Sequence, residues 1–148
     1  MSEPLKCSRA ENDMVALGIA ANMLHNSPPF EGLSAEKFIG TLLGQISRKH
    51  YVFTMRGQEI LGYAGWALCT EEVGRAWAEG RYTPKHEESI DGPCVMVVTF
   101  YSDAPEATRF QTRYLRNLKP HAPMISRRQY HDGRVRPLVL PALPPGQK

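Results

Sequence analysis

The order of apolar runs along this 148-residue chain predicts an α/β (α+β) domain, a mixed, mainly antiparallel sheet flanked by helices. Three observations carry that reading. Helical-period stripes alternate with strand-length runs, two pairs of runs are joined by short polar turns, and one run is apolar throughout. In order the elements read α-α-β-β-α-β-α-β-β, with one strand–helix crossover after residue 101.

Residues 12–24 place Met14, Leu17, Ala21 and Leu24 on one helical stripe. His25-Asn26-Ser27-Pro28-Pro29 ends that helix, because a proline disfavours helical geometry in the residue before it. Ser34 is placed to cap the next helix, which carries Phe38, Ile39, Leu42, Leu43 and Ile46 through about Arg48. Residues 50–55 and 60–69 make a hairpin rich in β-branched and aromatic side chains, turning at Arg56-Gly57-Gln58-Glu59. Gly62 and Gly65 inside the return strand point to a bulge or a close backbone approach.

Thr70-Glu71-Glu72 opens a short helix bearing Val73, Ala76 and Trp77, closed by Gly80. Residues 81–93 are polar and read as a loop. Residues 94–101 are continuously apolar, the pattern of a central strand buried on both faces. Ser102-Asp103-Ala104-Pro105-Glu106 starts a helix that runs to about Leu118. Residues 124–130 and 134–140 form a second hairpin about His131-Asp132-Gly133. One domain over 1–148 is expected, with 1–11 and the proline-rich 141–148 as flexible ends.

Apolar and charged fractions of 42% and 22% are ordinary for a globular protein and argue against a disordered one. Three cysteines without a CxxC pair fit a reducing compartment rather than a disulfide framework. The polar start resembles no signal peptide, and no apolar run approaches the ~18 residues of a membrane span. A cytoplasmic protein with no transmembrane segment is the expectation. Basic residues gather late in the chain: from Arg109 to Arg136 stand Arg109, Arg113, Arg116, Lys119, Arg127, Arg128, Arg134 and Arg136 against Asp132 alone. That asymmetry predicts a basic face for an acidic partner or a phosphate.

Several chemistries lack their motifs: there is no GxGxxG, GxxxxGK[ST], GxSxG, HExxH or CxxC. The five histidines are scattered, so no metal site is expected. Cys69 and Cys94 lie in apolar strands and read as small buried hydrophobes. Tyr63 and Trp66 fall on opposite strand faces, where core packing accounts for at least one of them.

A hairpin, a helix, a buried strand and a capped helix in that order resemble the acyl-CoA acyltransferase architecture, in which a thioester's pantetheine arm pairs along a splayed central strand. Residues 51–72, with their Gly-Tyr-Ala-Gly-Trp-Ala strand and acidic helix start, resemble the core hairpin of the RTX toxin-activating lysine-acyltransferases. Residues 127–136 resemble that family's closing hairpin, and the likeness runs over about 20–137. It implies transfer of a fatty acyl group from acyl carrier protein, as a phosphopantetheine thioester, to a lysine of an acceptor protein. No cofactor would be bound permanently. No nucleic-acid partner is implied, and homodimer formation is compatible with it.

The family's motif places an essential histidine after the first helix, which His25 matches, although Asn22 stands where the motif has serine. The family's aspartate in the buried strand falls here on Met96 or Val97, neither of which can handle a proton. As a general base His25 suits the task, since a lysine amine with a pKa of ~10.4 must lose a proton before attacking a thioester. Without the likeness, His25 reads as an ordinary loop or helix-end histidine before a proline pair; only with it does the catalytic reading weigh about evenly against that one. Arg109, Arg113 and Arg116 share one helix face and, with Arg127 and Arg128, are candidates to dock the acidic carrier protein. Ser102, at the start of that helix, is a second candidate for its phosphate. A solvated helix face is the plain alternative for the arginines.

Two other functions share these features. One is acyl-CoA-dependent N-acylation of a small molecule, against which stands the missing glycine-rich pyrophosphate loop at residues 102–107. The other is a non-enzymatic module binding nucleic acid or an acidic protein through 109–136, where Phe110, Tyr114 and Tyr130 interleave with the arginines.

Overall fold

A computed structural model describes residues 3–27, 30–130 and 132–146. The helices are α1 (Asp13–Leu24), α2 (Ala35–Ser47), α3 (Glu71–Ala78) and α4 (Pro105–Arg116). The strands are β1 (Leu5–Ser8), β2 (Tyr51–Arg56), β3 (Glu59–Cys69), β4 (Cys94–Ser102), β5 (Met124–Gln129) and β6 (Val135–Leu140). They form one six-stranded sheet in the order β1-β2-β3-β4-β5-β6, so the fold is mixed α/β with a mainly antiparallel sheet. β1/β2, β2/β3 and β5/β6 are antiparallel, whereas β4/β5 is parallel. The chain groups into two compact units, Met1–Gly65 with Thr99–Gln111, and Trp66–Val98 with Thr112–Lys148.

In the first unit, the Asn12 side chain caps α1 by accepting from the Met14 and Val15 N–H groups. The buried stripe of α1 is Ala16, Ala20 and Leu24, while Met14 is 62% exposed. That corrects the stripe expected from the apolar spacing. Alanines at every fourth position let α1 lie close against α2, which a methionine there would prevent. Ser34 caps α2 as expected, accepting from Lys37 N–H at 3.2 Å. Leu42, Gln45 and Ile46 are buried on α2, while Leu43 faces water. Pro28 and Pro29, expected to end α1, lie outside the described residues.

The first hairpin turns at Gly57, whose φ of 59° favours glycine, and Arg56 pairs directly with Glu59. Its register runs from Tyr51↔Gly65 to Thr54↔Gly62 and then shifts before Met55↔Ile60. The bulge expected from the glycines is therefore present. Tyr51, Phe53 and Tyr63 form one aromatic group, with ring centroids 5.3–6.1 Å apart. The chain before residue 12, expected to be loose, contributes β1, with Leu5–Ser8 pairing against β2. Four residues of mixed polarity carry no periodic signal; the exposed edge of β2 orders them.

In the second unit, Thr70 caps α3 and Gly80, at φ 78°, closes it, both as expected. This helix lies tightly on the second hairpin: a β-carbon on Gly74 would stand 2.6 Å from Ile125 Cδ1, and one on Gly80 2.9 Å from Val135 Cγ2. Cys94, Val95, Met96 and Val97 of β4 are buried, as a continuously apolar central strand should be. The expected loop 81–93 contains one short 3-10 turn at His86–Glu88. The β5–β6 hairpin closes through Tyr130 N–H to Arg134 O, with Gly133 at φ 90°; His131 lies outside the described residues. Beyond β6, Leu143 N–H donates to Pro120 O and Arg116 donates to Pro141 O, so the start of the expected loose tail is tied down.

Candidate functional site

His25 is the C-cap residue of α1 and is exposed, with its backbone N–H donating to Ala21 O at 3.1 Å. Among the described residues it makes no ion pair with a carboxylate. Met96 and Val97, at the place of the family's aspartate, are buried apolar side chains, 3% and 6% exposed. His25, Ser102 and Arg109 belong to the first unit, and Arg113, Arg116, Arg127 and Arg128 to the second.

The parallel pair β4/β5 has an unusual feature for a central junction. It is registered at Val95↔Met124 and Met96↔Ile125, at the starts of both strands, although each strand continues well beyond. α4 makes the crossover between them. A parallel pair joined only at its entrance leaves backbone N–H and C=O groups that need other partners.

At the start of α4, the Ser102 hydroxyl donates to Ala104 O at 3.0 Å and accepts from Ala104 N–H at 3.4 Å. Its polar capacity is therefore engaged by its own turn. Glu106 already supplies a carboxylate in the first turn, and its backbone N–H, together with Arg56, holds that carboxyl below the ordinary value. Arg56 Nη1 lies 3.5 Å from Glu106, while its Nε is buried without a hydrogen-bond partner. Arg56 read in the sequence as a turn residue; only the return of α4 to the end of β2 makes it part of this corner.

The arginines expected to act together divide by role. Arg109 and Arg113 are exposed on α4. Arg116 bonds Pro141 O, tying the tail. Arg127 donates from Nη1 to Trp77 O at 2.9 Å and stacks on the Trp77 ring at 4.2 Å, and burial lowers its pKa. It is a packing residue of the second unit. Arg128 and Arg134 lie 5.4 and 4.9 Å from the Tyr130 ring centroid, and Arg134 also pairs with Asp132 at 2.7 Å. Tyr114 packs its ring 6.4 Å from that of Trp66. Two of the three aromatics interleaved with the arginines therefore already have partners.

Sequence reasoning missed the buried polar network of the first unit. Gln45, from α2, donates to Thr99 Oγ1 at 2.8 Å and accepts from Tyr63 Oη at 2.7 Å. Gln111, from α4, accepts from Thr54 Oγ1 at 2.7 Å and donates to the Tyr63 and Tyr101 carbonyls. The two glycines of β3 were the available signal, since each makes room for one glutamine. Among the described residues no cluster of His, Cys, Asp and Glu could hold a metal, and no helix is long and apolar enough to cross a membrane. Comparison with protein-family models and with curated proteins returns no match.

Proposed function

We propose that the chain is a protein lysine acyltransferase, taking a fatty acyl group from acyl carrier protein and delivering it to a lysine of an acceptor protein. The observation that supports this reading best is the β4–α4–β5 crossover, whose parallel strands pair only at their first residues. Beyond Met96 and Ile125 the two strands carry no further register pairs with each other, and in this reading that separation is where an amide-bearing pantetheine arm pairs with the main chain. Together with the Tyr63/Trp66 strand and the closing hairpin, it is what the family likeness calls for.

In this reading His25 takes the proton of the lysine ammonium, and the freed amine attacks the thioester carbonyl. The tetrahedral oxyanion is held by backbone N–H groups, and its collapse expels the carrier's thiolate, which then takes up a proton. Among the described residues no carboxylate forms an ion pair with His25. The exposed Arg109 and Arg113 offer carrier-protein docking charges, and Arg127 does not. A cytoplasmic setting is part of the same proposal.

The test is intact-mass analysis after incubation with myristoyl- or palmitoyl-loaded carrier protein and a lysine-bearing, glycine-rich repeat polypeptide. The expected result is an acyl adduct on the polypeptide's lysine that disappears with His25→Ala. Transfer from acyl-CoA but not from carrier protein would move the proposal to small-molecule-type N-acylation. No adduct from either donor sinks it.

A further inference from the structure

The β5–β6 hairpin has two unlike faces. Ile125, Arg127, Val135 and Val139 alternate onto the face that α3 covers, where Gly74 and Gly80 meet Ile125 and Val135. Arg128, Arg134, Arg136, Leu138 and Leu140 alternate onto the other, and all five are exposed. Leu138 and Leu140 are 43% and 38% exposed, so this face presents aliphatic surface beside its arginines.

The register sets Arg128 directly across from Arg136. Side chains directly opposite on one face are near neighbours, and like charges there destabilise the pair. Neither arginine has a carboxylate partner among the described residues; the nearby Asp132 is taken by Arg134. β6 is an edge strand, and an arginine and a proline at positions 136 and 137 are a known means of discouraging strand addition. That accounts for Arg136. It does not account for a second arginine at the opposing position of the inner strand.

We propose that this face docks an acidic amphipathic helix of a partner protein. Carboxylates would bridge the Arg128 and Arg136 guanidiniums, and aliphatic side chains would cover Leu138 and Leu140. The composition favours this over nucleic acid. A single strand needs free aromatic faces to stack on, and the Tyr130 ring is flanked by the Arg128 and Arg134 guanidiniums. Exposed leucines also gain nothing from a phosphodiester chain, whereas they gain from an apolar helix stripe. The proposal does not depend on acyl transfer, because it concerns binding alone.

The probe is a fluorescein-labelled helical peptide with leucines on one face and glutamates on the other, followed by anisotropy with the full chain. Saturable binding that weakens with salt is expected, with none for a lysine-for-glutamate version of the peptide. Arg128→Glu is the decisive variant, because it turns the Arg–Arg pair into an ion pair. It should raise the urea midpoint while weakening the peptide at least about tenfold, the loss expected of a charge-assisted contact. Leu138→Ser should weaken binding without changing its salt dependence. No binding by the glutamate peptide, unchanged affinity in Arg128→Glu, or tighter binding of a poly(U) oligonucleotide would each overturn the proposal.

Discussion

The side-chain amide of Gln45 fills the place that a β-carbon on Gly65 would occupy. On the opposite face of β3 the same relationship holds between Gln111 and Gly62, where a β-carbon would come within 2.7 Å of both Gln111 Oε1 and the Tyr101 carbonyl. One buried glutamine therefore sits on each side of the first hairpin, each over a glycine. Gly65→Ala should cost about 2–4 kcal/mol, because the methyl must displace an amide bonded to Tyr63 and Thr99. Urea unfolding measures it; a loss below about 0.5 kcal/mol, the range of a neutral surface change, would refute the packing.

Gln111 serves three partners: the Thr54 hydroxyl and the Tyr63 and Tyr101 carbonyls. Gln111→Leu leaves them in a dry interior and should cost about 2–4 kcal/mol. Adding Thr54→Val should recover part of that loss, since two apolar partners are cheaper than one stranded hydroxyl. A double-mutant cycle with no coupling between positions 54 and 111 would contradict the network.

Arg127 is held by Trp77 through both its carbonyl and its ring. Arg127→Ala should lower stability by about 1–3 kcal/mol and shift Trp77 fluorescence, while leaving anion or peptide binding unchanged. A binding defect with unchanged stability would instead place Arg127 among the docking residues.

His25→Ala should reduce acyl transfer by about 10²–10⁴-fold without lowering the urea midpoint, because the side chain is exposed at a helix end. A rate within a few-fold of the unmodified chain would remove the histidine from the chemistry.

Burial, with Cys94 nearby, pushes the Cys69 thiol up to about 11 from 9.0. Between those values the unfolded chain has lost a proton that the folded chain keeps. The folded state binds more protons, so stability falls as pH rises through that window. Burial raises the Tyr63 phenol as well, which adds a loss of the same sign above its ordinary 10.0. The urea midpoint of Cys69→Ala should fall less steeply between pH 9 and 11 than that of the unmodified chain. Parallel curves would show that Cys69 titrates normally in the fold.

The helices and the two hairpins are legible in the chain, because caps, turns and periodicity act over a few residues. Ser34 and Thr70 cap where their spacing says they should, and residues 94–101 form the expected strand, buried from Cys94 to Val97 as their apolarity requires, although Phe100 near its end is exposed. Which surfaces those elements use depends on contacts between residues far apart in the chain. α1 buries alanines rather than Met14 because α2 demands a close approach. Leu5–Ser8 becomes a strand because β2 offers it an edge. Gln45 and Gln111, polar enough to read as surface, are buried because partners from distant strands satisfy every amide group. The run of arginines from 109 to 136 looks uniform in sequence, and only folding separates Arg127 on Trp77 from Arg128 facing Arg136. Charge is legible in a sequence; whether a ring or a carbonyl has already claimed it depends on contacts made across the fold.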